Sequence, residues 1–334
     1  MFDLRDERAR LTPATAPVPP RMPFCCVQRQ ISPRTNERVV PGDKKPTLRN
    51  GQCGFLCVLT EMTIVTVGLP RIRSALYLPA SNPRAIAKAR TLAADMLILD
   101  LEDAVKPEDK VSAREAAIAA VAEGFGDRPV AIRVNGLGSI WHEADIALIS
   151  RSAATLAVLP KAESGKATAE FASKVGKPVL AMVETPKGIL AAADIAQTSG
   201  VVGLIAGTND IAAELRLPAD AGREGLMLAL QTIVLAARAG GGIALDGVYN
   251  RLNDTDGLWA EARAGRALGF DGKTLIHPAQ IEPTNRAFAP DAAEIDDARA
   301  LVEAATGGAE RFRGRMIEAM HVAAARRLLS QIES

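Results

Sequence analysis

Leu180–Leu190 reads LAMVETPKGIL, and its two halves follow different rules. Leu180, Ala181, Met182 and Val183 form an unbroken apolar run, the pattern of a strand buried on both faces of a parallel sheet. Thr185-Pro186 then starts a helix: the Thr hydroxyl can accept from the exposed amides, and Pro suits the first helical position. Glu184 stands between the two, a carboxylate at the end of a buried strand. A strand that runs directly into a helix is half of a βα unit, so the search extends to its neighbours.

Seven more runs carry the same signature: 74–81, 95–103, 129–135, 154–161, 201–210, 243–250 and 271–278. Ala-rich stretches such as NPRAIAKARTLAA and KVSAREAAIAAVAEG lie between them and read as helices. Eight βα units over about 210 residues predict a TIM (β/α)8 barrel. A doubly wound sheet uses the same units, but the chain has no dinucleotide loop: NGLGSI (135–140) lacks the third glycine. Two more stretches, 291–305 and 313–332, read as helices beyond the barrel. The predicted division is 1–70 as an atypical or disordered extension, 71–290 as the catalytic barrel, and 291–334 as C-terminal helices.

Composition narrows the function. The net charge is +1, which argues against a nucleic-acid partner, and no apolar run reaches the ~18–20 residues of a membrane span. The charge is uneven: residues 1–60 hold ten Lys/Arg against five acids, so the remaining chain is net −4. TPATAPVPPRMP, in that segment, is Pro-rich, and acids at 3, 6 and 7 argue against an organelle leader. Met62 is a second candidate initiator. All four cysteines also lie there, and the Cys25-Cys26 pair fits no common zinc spacing. The cysteine-free body suits a cytoplasmic location.

In such a barrel, chemistry sits at the C-terminal ends of the strands. Read that way, the ends are Asp100, Glu102 and Asp103; Arg133 and Asn135; Lys161; Glu184; Asn209 and Asp210; Tyr249 and Asn250; and His277. Glu184 and Asp210 end neighbouring strands, ~4.8 Å apart in such sheets. Two carboxylates that close favour a hard divalent cation between them, with Mg²⁺ completing its shell from water and substrate. Arg133 offers a fork for a substrate carboxylate. Glu102 can orient Arg133 or a metal-bound water. Each residue also has a plain structural reading: Arg133 in an ion pair with Glu102 or Glu184, Asp210 as a helix cap, His277 as a turn residue before Pro278. Lys161 as a Schiff-base amine is the alternative route, which the paired acids disfavour.

Eight strings occur in order: RSALYLPASNPR, LILDLEDAV, AIRVNGLGSIWHEAD, VLPKAES, VETPKGIL, DGVYNRLNDTDGL, ALGFDGKTLIHPAQI and RGRMIEAMHVAAARR. Together they resemble the citrate lyase β-subunit-like group of CoA-ester lyases, which includes malyl-CoA and citramalyl-CoA lyases. The likeness covers about residues 71–330. It implies a Mg²⁺-dependent enzyme that breaks or forms a carbon–carbon bond in a 3-hydroxyacyl thioester carried by CoA or an acyl carrier protein. By the same resemblance, Glu184 and Asp210 hold the metal and Arg133 binds substrate. Lys273 and His277 lie in the segment that helps bind the CoA arm. A C-terminal acid that reaches a neighbouring subunit falls on Glu318. The lyases carry Asp in that string, so Glu318 is one methylene longer. A homotrimer or hexamer is implied, with the C-terminal helices as a lid on the neighbour. Other readings are a class II pyruvate aldolase acting on a free 4-hydroxy-2-oxo acid, a malyl-CoA-type thioesterase, and a subunit of a citrate lyase complex.

Overall fold

Residues 69–333 are described by the computed structural model of the chain. The N-terminal extension, its cysteines and Met62 lie outside them. In chain order the first half runs β1 (Ser74–Pro79), α1 (Pro83–Ala89), β2 (Met96–Asp100), α2 (Lys110–Glu123), β3 (Val130–Arg133), α3 (His142–Ile149), β4 (Leu156–Leu159) and α4 (Gly165–Val175). The second half runs β5 (Val179–Val183), α5 (Pro186–Leu190), α6 (Ala192–Ala196), β6 (Val201–Ala206), α7 (Thr208–Glu214), α8 (Met227–Ala239), β7 (Ile243–Asp246), α9 (Thr255–Leu268), β8 (Gly272–Leu275) and α10 (Ile281–Phe288). The eight strands pair in parallel, and β1 pairs with β8 to close a barrel.

Alternation along the strands builds two cores. Met96 and Ile98 point inward with Ala131, Leu156, Val158, Leu180, Met182, Ile205 and Leu245, and fill the barrel. Leu97, Leu99, Ile132, Leu159, Ala181 and Val183 point outward and pack against helix residues such as Phe171, Ile195, Leu230 and Ile233. Because both faces of β5 are buried, each of its five residues is apolar. Removing a side chain as fully enclosed as Leu180 would cost about 2–5 kcal/mol. The helix start read at Thr185 is present: its hydroxyl accepts from the Gly188 N–H at 3.0 Å, and Pro186 is the first helical residue.

Beyond the barrel, α11 (Ala292–Ala304) and α12 (Ala319–Glu333) flank a hairpin of β9 (Glu310–Phe312) and β10 (Arg315–Ile317). The stretch 313–332, read as one helix, is therefore a strand followed by a helix. Arg313 and Gly314 both take positive φ, 45° and 81°, and turn the chain at its start. Phe312 and Ile317 of the hairpin pack with Ala298, Leu301 and Ala325 into a small separate core. Ala324, Arg327 and Leu328 of α12 share a cleft with Leu69–Ile72, at the N-terminal entry to β1. No helix among the described residues is long and apolar enough to cross a membrane.

Candidate active site

The C-terminal strand ends enclose a cavity of about 340 Å³, lined by Tyr77, Asp100, Asp103, Arg133, Met182, Glu184 and Asp210 among others. Arg133 ends β3 and Asp100 ends β2, at the same level of the sheet. The guanidinium meets Asp100 along a full edge, Nε to Oδ1 at 2.7 Å and Nη2 to Oδ2 at 2.6 Å. Asp100 also accepts the backbone N–H groups of Glu102 and Ala104. The remaining corner, Nη1, is 3.0 Å from Glu102 Oε2 and 3.5 Å from Asp103 Oδ2. Burial opposes the charge on Arg133, but the hydrogen bonds and charge of Asp100 outweigh it and hold the pKa well above its ordinary value.

This geometry leaves one of the two edges of Arg133 for the fork expected on a substrate carboxylate. Asp100 occupies the Nε–Nη2 edge, so a substrate meets the end-on edge, Nη1 with the second N–H of Nη2. Asp100, rather than Glu102 or Glu184, is the main partner. Glu102 Oε2 is close to Nη1 but makes no hydrogen bond. Burial, with nearby acids adding to it against the pull of Arg133, pushes the Glu102 pKa up to about 8. The loop carrying Glu102 is fastened by Lys110, whose ammonium donates to the carbonyls of Leu101 at 2.8 Å and Glu102 at 2.7 Å.

Glu184 follows β5, and its Oε1 accepts the Lys161 N–H at 2.7 Å. Lys161 ends the β4 segment with a φ of 47°, a left-handed conformation that costs a Lys about 1 kcal/mol. Gly207, the residue before α7, lies against Glu184: a side chain there would put its Cβ 2.3 Å from the Glu184 Cβ. Asp210 stands in the first turn of α7 and lines the same cavity. The Lys161 ammonium is 3.7 Å from Asp210 Oδ2. Burial raises the Glu184 pKa to about 7, and the Asp210 charge adds to the rise; the Lys161 N–H and the charges of Arg133 and Lys161 offset part of it.

The charge balance bears on a metal. Asp100, Glu102, Asp103, Glu184 and Asp210 face three cations, Arg133, Lys161 and Lys110; Arg133 is already engaged by Asp100 and Lys110 by the carbonyls of Leu101 and Glu102. The donors near Glu184 and Asp210 are oxygens, which suit a hard divalent ion. Among the described residues no group of three or more His, Cys, Asp or Glu could hold a metal. The protein would therefore supply two carboxylates, with water and substrate filling the remaining positions, the pattern Mg²⁺ commonly takes. Lys161 is a poor Schiff-base amine: burial lowers its pKa, but Asp210 and the other acids raise it overall, which keeps it protonated.

Three expected site residues do not line the cavity. Lys273 points outward from β8 and is fully buried. Its ammonium contacts Asp246 Oδ2 at 3.2 Å, the Gly247 carbonyl at 2.5 Å and Glu261 of α9 at 2.6 Å, so no part of it is free to bind a CoA arm. His277 is exposed and caps the short turn Pro278–Gln280, its Nδ1 accepting the Ala279 N–H at 3.2 Å. Its neighbour Ile276 lines the cavity. Glu318 is exposed where the hairpin meets α12, and its N–H donates to His321 Nδ1. It is not among the residues lining this chain's cavity.

Two residues were missed. Tyr77 lies beneath Arg133, with the guanidinium carbon 5.1 Å from the ring centroid, and its buried hydroxyl has no partner. Among the three acids at the end of β2, Asp100 is set apart by its two hydrogen bonds from Arg133. The signal for both is parity: Tyr77 follows inward Ala75, and Asp100 follows inward Ile98.

Comparison with known proteins is consistent with this geometry. The model of the HpcH/HpaI aldolase/citrate lyase family matches residues 73–278, and that of the C–C bond lyases of the TIM-barrel fold matches 224–333. A (3S)-malyl-CoA thioesterase of Cereibacter sphaeroides is 42% identical over 273 residues, 78% of this chain and 95% of the relative. The citrate lyase subunit beta of Leuconostoc mesenteroides is 32% identical over 246 residues, 70% of this chain and 82% of the relative. The crystal structure of CitE from Mycobacterium tuberculosis in complex with magnesium, acetoacetate and coenzyme A superposes with a TM-score of 0.69 at 34% identity. It covers 79% of this chain and 99% of that one.

Proposed function

The chain belongs to the HpcH/HpaI aldolase/citrate lyase family, and from that premise we propose that it cleaves, or forms, a malyl-type 3-hydroxyacyl-CoA ester with the help of Mg²⁺. The observation that carries this reading is the shared cavity wall of Glu184 and Asp210, with Arg133, held by Asp100 along one edge, lining the same space. Glu184 and Asp210 would hold the ion. Bound there, it would supply Lewis-acid polarisation of the substrate oxygen that becomes a ketone.

The chain's own groups do the rest. The end-on edge of Arg133, Nη1 with the second N–H of Nη2, takes the substrate carboxylate, while Asp100 fixes the guanidinium plane. Glu102 stands against Nη1 and keeps that corner in place. In the cleavage direction a base removes the hydroxyl proton, and the bond from the hydroxyl-bearing carbon to the thioester α-carbon breaks. The α-carbon then takes a proton, giving a 2-oxo acid and a shorter acyl thioester. Glu318 from a second copy is the proposed proton donor, within a homotrimer or hexamer whose C-terminal helices cover the neighbour's cavity. His277, on the rim beside Ile276, is the proposed contact for the CoA arm.

A second reading is favoured by the 42% identity to (3S)-malyl-CoA thioesterases: water attacks the thioester carbonyl and the same bound ester gives a free acid and CoA thiol. One experiment separates them. Malyl-, citramalyl- and citryl-CoA are incubated with the full chain and Mg²⁺, and 2-oxo acid and free thiol are followed together. Oxo acid without thiol supports the lyase, and thiol without oxo acid supports the thioesterase. Neither product, with turnover of a free 4-hydroxy-2-oxo acid instead, refutes both.

A further inference from the structure

Lys161 touches both acids assigned to the metal, and does so with two different groups. Its backbone N–H donates to Glu184 Oε1 at 2.7 Å. Its ammonium stands 3.7 Å from Asp210 Oδ2, an ion pair too long for a hydrogen bond. The N–H contact goes with the left-handed backbone at Lys161, φ 47°. The side chain is half exposed, so it is free to swing toward solvent. Asp210, Glu102, Glu184 and Asp103 all act on the ammonium. With Arg133 taken by Asp100, Lys161 is the half-exposed cation beside the carboxylate pair.

We propose that Lys161 is the resident counter-cation of this pair: its ammonium neutralises Asp210 in the metal-free protein and must be displaced when a divalent ion enters. The proposal rests on the reading of Glu184 and Asp210 as metal ligands and adds a residue that tunes their affinity. The backbone N–H keeps Glu184 aimed in both states, while the side chain moves. A loosely held pair of this kind is worth little, so displacement lowers affinity only modestly. The gain is that the acids are never left with no positive charge beside them.

The test is calorimetric titration of Mg²⁺ alone into the full chain, without substrate and at fixed ionic strength. Lys161→Gln should bind the ion about two- to fivefold tighter than the parent, the range an exposed ion pair allows. Lys161→Arg should stay near the parent. Lys187→Gln, which removes an exposed ammonium paired with Glu163 on the same side of the barrel, controls for net charge and should leave affinity unchanged. Equal melting temperatures would show that the variants fold alike. Unchanged or weaker binding by Lys161→Gln, or an equal gain in Lys187→Gln, overturns the proposal while leaving the metal site standing. A parent chain that binds no Mg²⁺ overturns both.

Discussion

Replacing Arg133 with Met should destabilise the protein before any assay of activity is run. The guanidinium is buried, and its partner Asp100 is 1% exposed. Removing one member of such a pair costs about 3–5 kcal/mol, because the other charge stays buried without its partner. Asp100 keeps two backbone N–H donors, from Glu102 at 2.9 Å and Ala104 at 3.1 Å. The cost should therefore fall at the lower end, about 3 kcal/mol. For a folded body of this size each kcal/mol shifts Tm by about 2–4 °C, so Tm should drop by about 6–12 °C. The assay is thermal and urea unfolding of a double-mutant cycle: Arg133→Met, Asp100→Asn and the pair. Neutralising both partners should recover more than about 1.5 kcal/mol relative to the sum of the singles. If Arg133→Met costs under about 1 kcal/mol, or if the two losses add within about 0.5 kcal/mol, the pair is not the keystone of the cavity wall and the orientation assigned to Nη1 fails.

Three other outcomes follow from the geometry. Glu184→Gln and Asp210→Asn should each weaken Mg²⁺ binding by more than the roughly 10–100-fold typical of an outer-shell change, and abolish Mg²⁺-dependent turnover; calorimetry and product assays check this, and full activity in either removes the ligand assignment. Lys273→Met should cost about 3–5 kcal/mol in urea unfolding, since it leaves Asp246 buried with one partner fewer, while the KM for the thioester in the folded fraction stays unchanged; a raised KM with intact stability would restore Lys273 as a binding residue. Burial holds the Glu102 and Glu184 pKa values at about 8 and about 7, above their ordinary range. Stability from groups shifted this way is full below the unfolded pKa and is lost as pH rises through the folded one. The metal-free protein should therefore lose stability between about pH 5 and pH 8, with less loss when Mg²⁺ is present; urea midpoints across that range that stay flat or rise without metal would contradict the assignment.

The eight strands were legible because short, mostly apolar runs recur at βα spacing, and even β8, which carries Lys273 and Thr274, falls in that rhythm. Glu184 and Arg133 stand where a parallel barrel delivers strand ends to one rim, whereas Asp210, expected to end β6, sits in the first turn of α7 and reaches the same cavity from there. What escaped depended on lateral relations. The match of Asp100 to Arg133 is a matter of register between β2 and β3, and register leaves no mark on either strand alone. Lys273 lies on the outward face of β8, and a charged side chain there reads as a site residue until Glu261 of α9 and Asp246 are seen to meet it. The hairpin after α11 was hidden in an Ala- and Arg-rich stretch whose helical pattern dominates, although Gly314 marked the turn.

Gly207 has a wider consequence for judging which relatives of this chain are active. It carries no charge and touches no substrate, so a check that scores only acids and arginines would pass a chain with Ala at that position. Yet one methyl group there would overlap Glu184 and evict it from its bond with Lys161. Such a chain would look intact on paper and still hold Glu184 out of place, because what the position contributes is vacancy.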